Sequence, residues 1–167
     1  LYGEQIGGRL EDMTSFAKYI GGSPTNTAVG ACRLGLRCGL ISRVGADHFG
    51  RFIGEQLQRE GVSTEGVVSD SERLTALVFL GIRDPDTFPL IFYRENCADM
   101  ALRVDDIDDA FVRRASAVLI NGTHLSQPGV FDASVHVCRV AREAGNRVVF
   151  DIDYRPVLWG RTDRDMG

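Results

Sequence analysis

The sequence predicts an α/β fold in which helices cover a mostly parallel sheet and a small β-sheet forms a lid over it. Two observations predict the body: helix-like and strand-like stretches alternate along the 167 residues, and the strands are apolar on both faces, which is typical of parallel sheets. A third observation predicts the lid. Two further strand-like runs, separated by turn residues, interrupt the alternation between residues 74 and 94.

The first predicted element is a short helix over Thr25 to Leu34. Ser23 suits the N-cap position, Pro24 the first helical position and Gly35 the position just after the helix. Gly21 and Gly22 stand before it, where the absence of side chains would let ligand oxygens approach the free N–H groups of the first turn, and Asn26 adds a donor and an acceptor. The alternative is a tight, well-capped turn that binds no ligand.

The remaining elements of the body form strand and helix pairs. We expect a strand at 38–45, a helix with Phe49, Phe52, Ile53 and Leu57 at helical spacing that ends near Gly61, a strand at 117–121, a helix at 130–144 that ends at Gly145, and a strand at 147–153. Ligands of open parallel sheets bind beyond the carboxyl ends of the strands. Thr123 and Arg155 follow two of these ends and are candidate binding residues. Asp151 and Asp153 are possible further members, and both are alternative salt-bridge partners for Arg155.

The lid is predicted as an antiparallel hairpin of residues 74–83 and 88–94, joined by turn chemistry at 84–87, with the stretch 4–20 pairing beside it. Phe92 and Arg94 fall on one face of a strand because side chains alternate with a period of two. An aromatic ring and a planar guanidinium would therefore project together, which suits a ligand carboxylate. The alternative is a strand-end salt bridge between Arg94 and Glu95 or a neighbour.

Composition argues against several function classes. The chain has 19 basic and 23 acidic residues, a net charge of −4 and a single lysine, Lys18, so we expect no nucleic-acid partner. Its four cysteines lack CxxC spacing and are expected to be reduced thiols. The acidic run 105–109 is expected to open a helix and not to bind a metal. His124 is expected to be structural. Without an apolar run of 18 residues or a signal peptide, we expect a soluble cytoplasmic protein with no membrane partner.

Two motifs resemble the N-terminal signature of the ribokinase-like (phosphofructokinase B type) carbohydrate kinases. They are the run Gly21, Gly22, Asn26, Ala28, Leu34, Gly35 and its continuation Gly45-x-Asp47-x-x-Gly50. The resemblance covers essentially all 167 residues and implies a doubly wound sheet with a β lid, of which this chain is the N-terminal portion. It implies that Gly22, Ser23 and Asn26 hold sugar hydroxyls and that the lid can form a homodimer.

The same resemblance implies an ATP- and Mg²⁺-dependent phosphoryl transfer to a sugar. Its base and anion hole are expected beyond Gly167, so we predict no catalytic residue in this chain and no activity from the chain alone. Gly45-Ala46-Asp47 looks like that anion hole, but its distance from Gly21 assigns it to the N-terminal motif.

Three stretches, 7–26, 88–102 and 148–160, resemble most the members that phosphorylate 5-dehydro-2-deoxygluconate, a sugar acid of inositol catabolism. In that reading Arg94 and Arg155 would bind the carboxylate, and Phe92 would form one wall where keto-acid kinases tend to have tyrosine. A 2-keto-3-deoxygluconate kinase, a fructokinase, and an inactive sugar-binding or regulatory fragment remain the alternatives.

Overall fold

The computed structural model describes residues 1–161, so the last six residues of the predicted domain, 162–167, lie outside the described residues. In chain order the elements are β1 (Tyr2–Gly3), β2 (Phe16–Ala17), α1 (Ser23–Arg33), β3 (Gly39–Gly45), α2 (His48–Arg59), β4 (Ser63–Asp70), β5 (Leu77–Leu80), β6 (Leu90–Tyr93), α3 (Asp109–Arg113), β7 (Ala117–Asn121), α4 (Pro128–Glu143) and β8 (Arg147–Asp151). Short 3-10 turns join several of them, including Ala98–Ala101 and Pro156–Trp159.

Two parallel strand pairs form the body, β3 with β4 and β7 with β8. The predicted strands at 38–45, 117–121 and 147–153 are confirmed to within a residue or two. The strand β4 was not predicted, because its first half is polar and Gly66 interrupts it. Glycine is needed there, since a Cβ at Gly66 would lie 2.8 Å from the carbonyl oxygen of Leu40 on the neighbouring strand.

Two apolar clusters hold the helices on the strands. Ala28, Leu40, Leu57 and Val62 form the first, between α1, α2 and the β3 pair. The second contains Val112, Val137, Val140 and Ala141, with side chains of β7 packed against it. All five residues of β8, including Val149 and Phe150, are exposed in this chain taken alone.

The first helix begins two residues earlier than predicted. Gly22, and not Ser23, is its N-cap residue, which places Ser23 in the first turn. The Ser23 hydroxyl is then available to groups elsewhere in the chain. The C-terminal prediction is confirmed, since Gly35 has a φ of +90°.

The lid is a four-stranded sheet in the order β2, β1, β5, β6. The predicted hairpin is confirmed with shorter strands, and a bridge joins Asp84 to Thr87 at its turn. The predicted direct pairing of 4–20 with the hairpin is wrong. The stretch joins the same sheet through β2, which pairs with β1, and β1, just before that stretch, pairs with β5. Edge-to-face contacts of Phe79 with Phe16 and Tyr93, at centroid distances of 5.2 and 5.4 Å, pack one side of the lid.

The Gly45-x-Asp47-x-x-Gly50 motif joins the lid to the body. The Asp47 carboxylate accepts hydrogen bonds from Phe49 N and Gly50 N at the start of α2, and from Thr75 N at 2.7 Å. Thr75 leads into β5, so the carboxylate ties the entrance of the lid to a helix of the body. Burial alone would raise the pKa of Asp47, but these hydrogen bonds hold it below its usual value. Asp47 of the motif is therefore used by the fold, and the view that the motif is no anion hole stays a prediction.

Charged side chains elsewhere are also used structurally. Arg43 forms salt bridges with both Asp70 and Asp106, with N–O distances of 2.8 Å, and Asp108 caps α3. Asp106 and Asp108 of the acidic run therefore have structural roles.

Over residues 1–161 there is no group of three or more His, Cys, Asp and Glu arranged to hold a metal ion. The four cysteines are free thiols, as expected. None of the helices in the described part of the chain has the length and apolarity needed to cross a membrane.

Candidate functional site

Polar side chains converge where β7 and β8 end, next to the start of α1. Asn121 Nδ2 donates to Ser23 Oγ at 2.7 Å and to Asp151 Oδ2 at 2.9 Å. The buried Thr123 hydroxyl contacts Asn121 Oδ1 and Asp153 Oδ2. Neighbouring parallel strands end at one edge, so residues far apart in sequence form one cluster. We call Ser23, Asn121, Thr123, Asp151 and Asp153 the strand-end cluster.

Gly122 allows the two strand ends to approach. A Cβ at this position would lie 2.1 Å from the carbonyl oxygen of Ile152, far inside van der Waals contact. Asp153, on the opposite strand end, has a φ of +27° although it is not glycine, a strained conformation that is concentrated at functional sites. Close packing and backbone strain thus coincide at the strand-end cluster.

Arg155 contacts the strand-end cluster through a salt bridge of 3.0 Å from its Nε to Asp153 Oδ1, so the alternative pairing is present. Its side chain is still 58% exposed and can reach a ligand. Burial alone would raise the pKa of Asp153, but hydrogen bonding from Thr123 and the charge of Arg155 hold it below its usual value. Asp153 is therefore an ionised acceptor at neutral pH.

The glycines before α1 provide open backbone beside this cluster. Gly21 and Gly22 are exposed, with no atom within 4 Å of an added Cβ, and Gly22 has a φ of +91°, which disfavours other residues. Asn26 is also exposed, one turn further along the helix. Ser23 links this helix start to the strand ends, so the predicted hydroxyl-binding residues border one surface.

Arg94 lies at the base of the lid in a second group. Its Nη2 contacts both Asp99 Oδ2 and His124 Nε2, and the side chain is only 11% exposed. The alternative of a salt bridge is thus present, with Asp99 as the partner. His124 Nε2 lies 3.1 Å from the same Asp99 oxygen. We call Arg94, Asp99 and His124 the lid-base triad. Because His124 follows Thr123 directly, the triad and the strand-end cluster are adjacent.

A cavity of about 470 Å³ opens beside the triad, within the usual range for small-molecule sites. Phe92 and Arg94 both line it, as the period of two predicts, together with Arg73, Arg103 and Glu95. The 3-10 turn after Arg155 contributes Val157 and Leu158 to the wall. The lining carries three arginines and one glutamate, and two of these arginines already have carboxylate partners, Arg94 with Asp99 and Arg73 with Asp70.

A second, wider depression of about 720 Å³ lies near the C-terminal end of α1 and is lined by Cys32, Cys38 and residues 60–65 among others. It contains none of the predicted site residues. We therefore place the candidate site at the lid base and the strand ends.

Sequence reasoning missed Asn121 and Asp99 and assigned His124 a purely structural role. Asn121 is the last residue of an apolar strand, so its position at a carboxyl edge was a usable signal. Asp99 gave no such signal, because it follows an irregular turn whose course the sequence does not predict.

Together, a mainly parallel α/β body, a β lid and an arginine-lined cavity between them form a candidate small-molecule site beneath a lid. The chain belongs to the pfkB family of carbohydrate kinases, whose family model matches residues 2–166.

Curated relatives named 5-dehydro-2-deoxygluconokinase are 36 to 42% identical to this chain. The relative from Geobacillus kaustophilus is 42% identical over 151 residues, which cover 90% of this chain and 45% of that protein. The chain thus spans about half the length of the curated relatives it matches.

Solved structures show the same fold. A sugar kinase from Pyrococcus horikoshii in complex with ATP has a TM-score of 0.87 at 31% identity, covering 96% of this chain and 52% of the other. A fructokinase from Halothermothrix orenii has a TM-score of 0.82 at 34% identity, covering 97% and 56%. These matches confirm the ribokinase-like fold and the assignment to the N-terminal portion.

Proposed function

We propose that the protein containing this chain phosphorylates a sugar acid, 5-dehydro-2-deoxygluconate, and that this chain supplies most of the substrate-binding surface. One observation carries the proposal: a cavity of substrate size is lined by Phe92 and by three arginines, of which Arg94 is held in a fixed position at the lid base. A guanidinium matches a carboxylate with two parallel hydrogen bonds. The names of the curated relatives support the same substrate.

In this proposal the acid end of the substrate lies against Arg94, with Arg155 as a second positive contact, and Phe92 forms a wall. The hydroxyl groups lie toward Gly21, Gly22, Ser23, Asn26 and Thr123. Asp151 and Asp153 accept hydrogen bonds there, because ionised carboxylates are strong acceptors for hydroxyl donors. The lid closes over the substrate and excludes water, which strengthens each polar contact.

The phosphoryl donor is proposed to be ATP with Mg²⁺, which supplies the transferred phosphoryl group and the charge to stabilise it. In this proposal the residues of this chain bind and orient the substrate. The general base and the nucleotide site are proposed to lie in sequence that follows residue 167. We further propose that the enzyme acts in inositol catabolism in the cytoplasm, with neither nucleic acid nor membrane as a partner.

A second candidate is a fructokinase acting on a neutral sugar, and a specific observation favours it. Arg94 already contacts the carboxylate of Asp99, which neutralises much of its charge before any ligand arrives. The similarity to the Halothermothrix orenii fructokinase supports the same candidate. The two functions differ in whether Arg94 contributes to recognition.

Arg94→Lys in the full-length protein tests the choice. Lysine keeps a positive charge beside Asp99 but lacks the planar fork, so the fold should persist while carboxylate binding weakens. A charged hydrogen bond is worth about 1.5 to 3 kcal/mol, which corresponds to roughly a 10- to 160-fold loss of kcat/KM for the acid. Fructose should lose far less. Arg37→Lys, at an exposed arginine away from the cavity, is the matched control. An unchanged acid-to-fructose ratio in Arg94→Lys would favour the fructokinase.

A further inference from the structure

The contacts within the lid-base triad cannot all be made at once. An arginine N–H only donates, so its contact with His124 Nε2 requires that nitrogen to be an unprotonated acceptor. The contact of the same nitrogen with Asp99 Oδ2, at 3.1 Å, requires it to carry a proton. His124 Nε2 can therefore accept from Arg94 or donate to Asp99, and whether this nitrogen carries a proton decides which.

Within residues 1–161, two buried atoms of the triad have no hydrogen-bond partner, Arg94 Nε and Asp99 Oδ1. An unpaired buried donor on a cation and an unpaired buried acceptor on an anion are both costly. The triad is thus incompletely satisfied in the arrangement seen, and a rearrangement that adds a partner for Arg94 would be favourable. The adjoining cavity is where such a partner would enter.

We propose that Asp99 and His124 are positioning residues that control when Arg94 is available to a ligand carboxylate. In the empty site Asp99 holds the guanidinium, and neutral His124 accepts from it. When a carboxylate binds Arg94, His124 takes one proton from solvent at Nε2 and donates to Asp99. Asp99 therefore keeps a cationic partner, and the proton returns to solvent when the acid leaves. This inference rests on the proposed sugar-acid substrate and adds a proton-linked selectivity to it.

The charge count supports the exchange. A substrate carboxylate beside Arg94 and Asp99 would bring two negative charges to one guanidinium, and like charges at such distances repel strongly in a buried site. A protonated His124 restores the balance. Other charged or titratable groups face the cavity from the flanking elements and could modulate the effect: Arg73, Glu95, Cys97 and Arg103. The first of these is already paired with Asp70.

The experiment measures the ratio of kcat/KM for 5-dehydro-2-deoxygluconate to kcat/KM for fructose, from pH 6 to pH 8, in the full-length protein. Dividing by kcat/KM for fructose removes the pH effects on the chemical step that both sugars share. In the wild type the ratio should fall about fivefold or more as the pH rises, because acid binding takes up a proton in the proposed exchange.

Two variants test the roles separately. His124→Gln keeps a donor and an acceptor near the Nε2 position but cannot be protonated, so its ratio should be flat with pH and should stay near the wild-type value at pH 8. Asp99→Asn removes the competing negative charge and keeps an oxygen for Arg94, so its ratio at pH 8 should rise about three- to tenfold. A residue that only supported the fold would lower activity toward both sugars.

His136→Gln is the matched control. His136 lies on α4, its Nε2 is 2.7 Å from Asp109 Oδ1, and it takes no part in the lid-base triad. A wild-type ratio that favours the acid but stays flat with pH, or a pH dependence that survives in His124→Gln, would overturn this inference and leave the proposed function standing. If circular dichroism shows that Asp99→Asn does not fold, the pH dependence of the ratio in His124→Gln alone decides the test. A wild type with no preference for the acid at any pH would refute both.

Discussion

Replacing Gly122 with alanine should damage the strand-end cluster while adding only one methyl group. The new Cβ would lie 2.1 Å from the Ile152 carbonyl oxygen and 2.9 Å from its carbon. Both atoms belong to the backbone, so no side-chain rotation can relieve the clash. The carboxyl ends of β7 and β8 must separate by about 1.3 Å to reach ordinary contact.

Such overpacking costs about 1 to 3 kcal/mol of stability. A Tm lower by about 2 to 10 °C is expected, given the usual relation between Tm and stability for proteins of this size or larger. The larger effect should be on binding, because the same movement pulls Thr123 away from Asp153. Losing one or two hydrogen bonds to an ionised group should raise KM for the sugar by about 10-fold or more.

The assay compares Tm and steady-state kinetics of full-length wild type and Gly122→Ala. Gly54→Ala is the matched control, since Gly54 lies inside α2 with no atom within 4 Å of an added Cβ. That change should stabilise the protein by about 0.5 to 1 kcal/mol because alanine favours helix. If Gly122→Ala kept both the wild-type Tm and the wild-type KM, our account of the close strand ends would be wrong.

Three further predictions follow from the fold. Burial would raise the pKa of Asp70, but hydrogen bonds from Glu72 N and from Arg43 lower it to about 2. Its stabilisation is therefore complete above about pH 4 and is lost as the pH falls toward 2, and urea midpoints of Asp70→Asn should vary less over that range. We propose that the exposed aromatic residues of the lid, among them Tyr2, Tyr19 and Tyr93, form a homodimer interface; a strictly monomeric full-length protein in solution scattering would contradict this. Residues 1–167 alone should show no kinase activity with ATP and any sugar acid, and measured turnover would show that the catalytic groups were misplaced.

Periodicity was sufficient to predict the elements whose side chains point consistently toward a core. The strands β3 and β7 and the helix α2 were predicted because apolar residues fix their faces. Glycines marked the helix ends, and Gly35, Gly61 and Gly145 all have positive φ. β4 was missed because a strand that pairs along one edge needs little apolar surface of its own, and its Gly66 is required by the neighbouring backbone.

The strand-end cluster was partly predictable. Residues that follow neighbouring parallel strands, such as Thr123 and Arg155, lie together at the carboxyl edge of the sheet. The role of Ser23 was not predictable from its neighbours. Local pattern favours serine as an N-cap, but its hydroxyl instead contacts Asn121, which lies 98 residues away. The Ser23 hydroxyl could bond either to the start of its own helix or to a distant side chain. Tertiary structure determines which bond forms, and the local sequence does not predict it.

The lid-base triad shows why substrate charge is the hardest property to predict from sequence. Alternation along β6 correctly predicted that Phe92 and Arg94 face one cavity, and an arginine there suggests an acidic ligand. Its availability depends on Asp99 and His124, which are 5 and 30 residues away in the chain and reach it only because an irregular turn and the end of β7 meet beneath the lid. An isolated arginine would favour an acid at every pH. An arginine already paired with a carboxylate binds an acid less readily unless a further positive charge appears, and the proposed exchange assigns that charge to His124. If the proposal holds, selectivity between a sugar acid and a neutral sugar depends on the pairing of three side chains, and Arg94 by itself does not determine it.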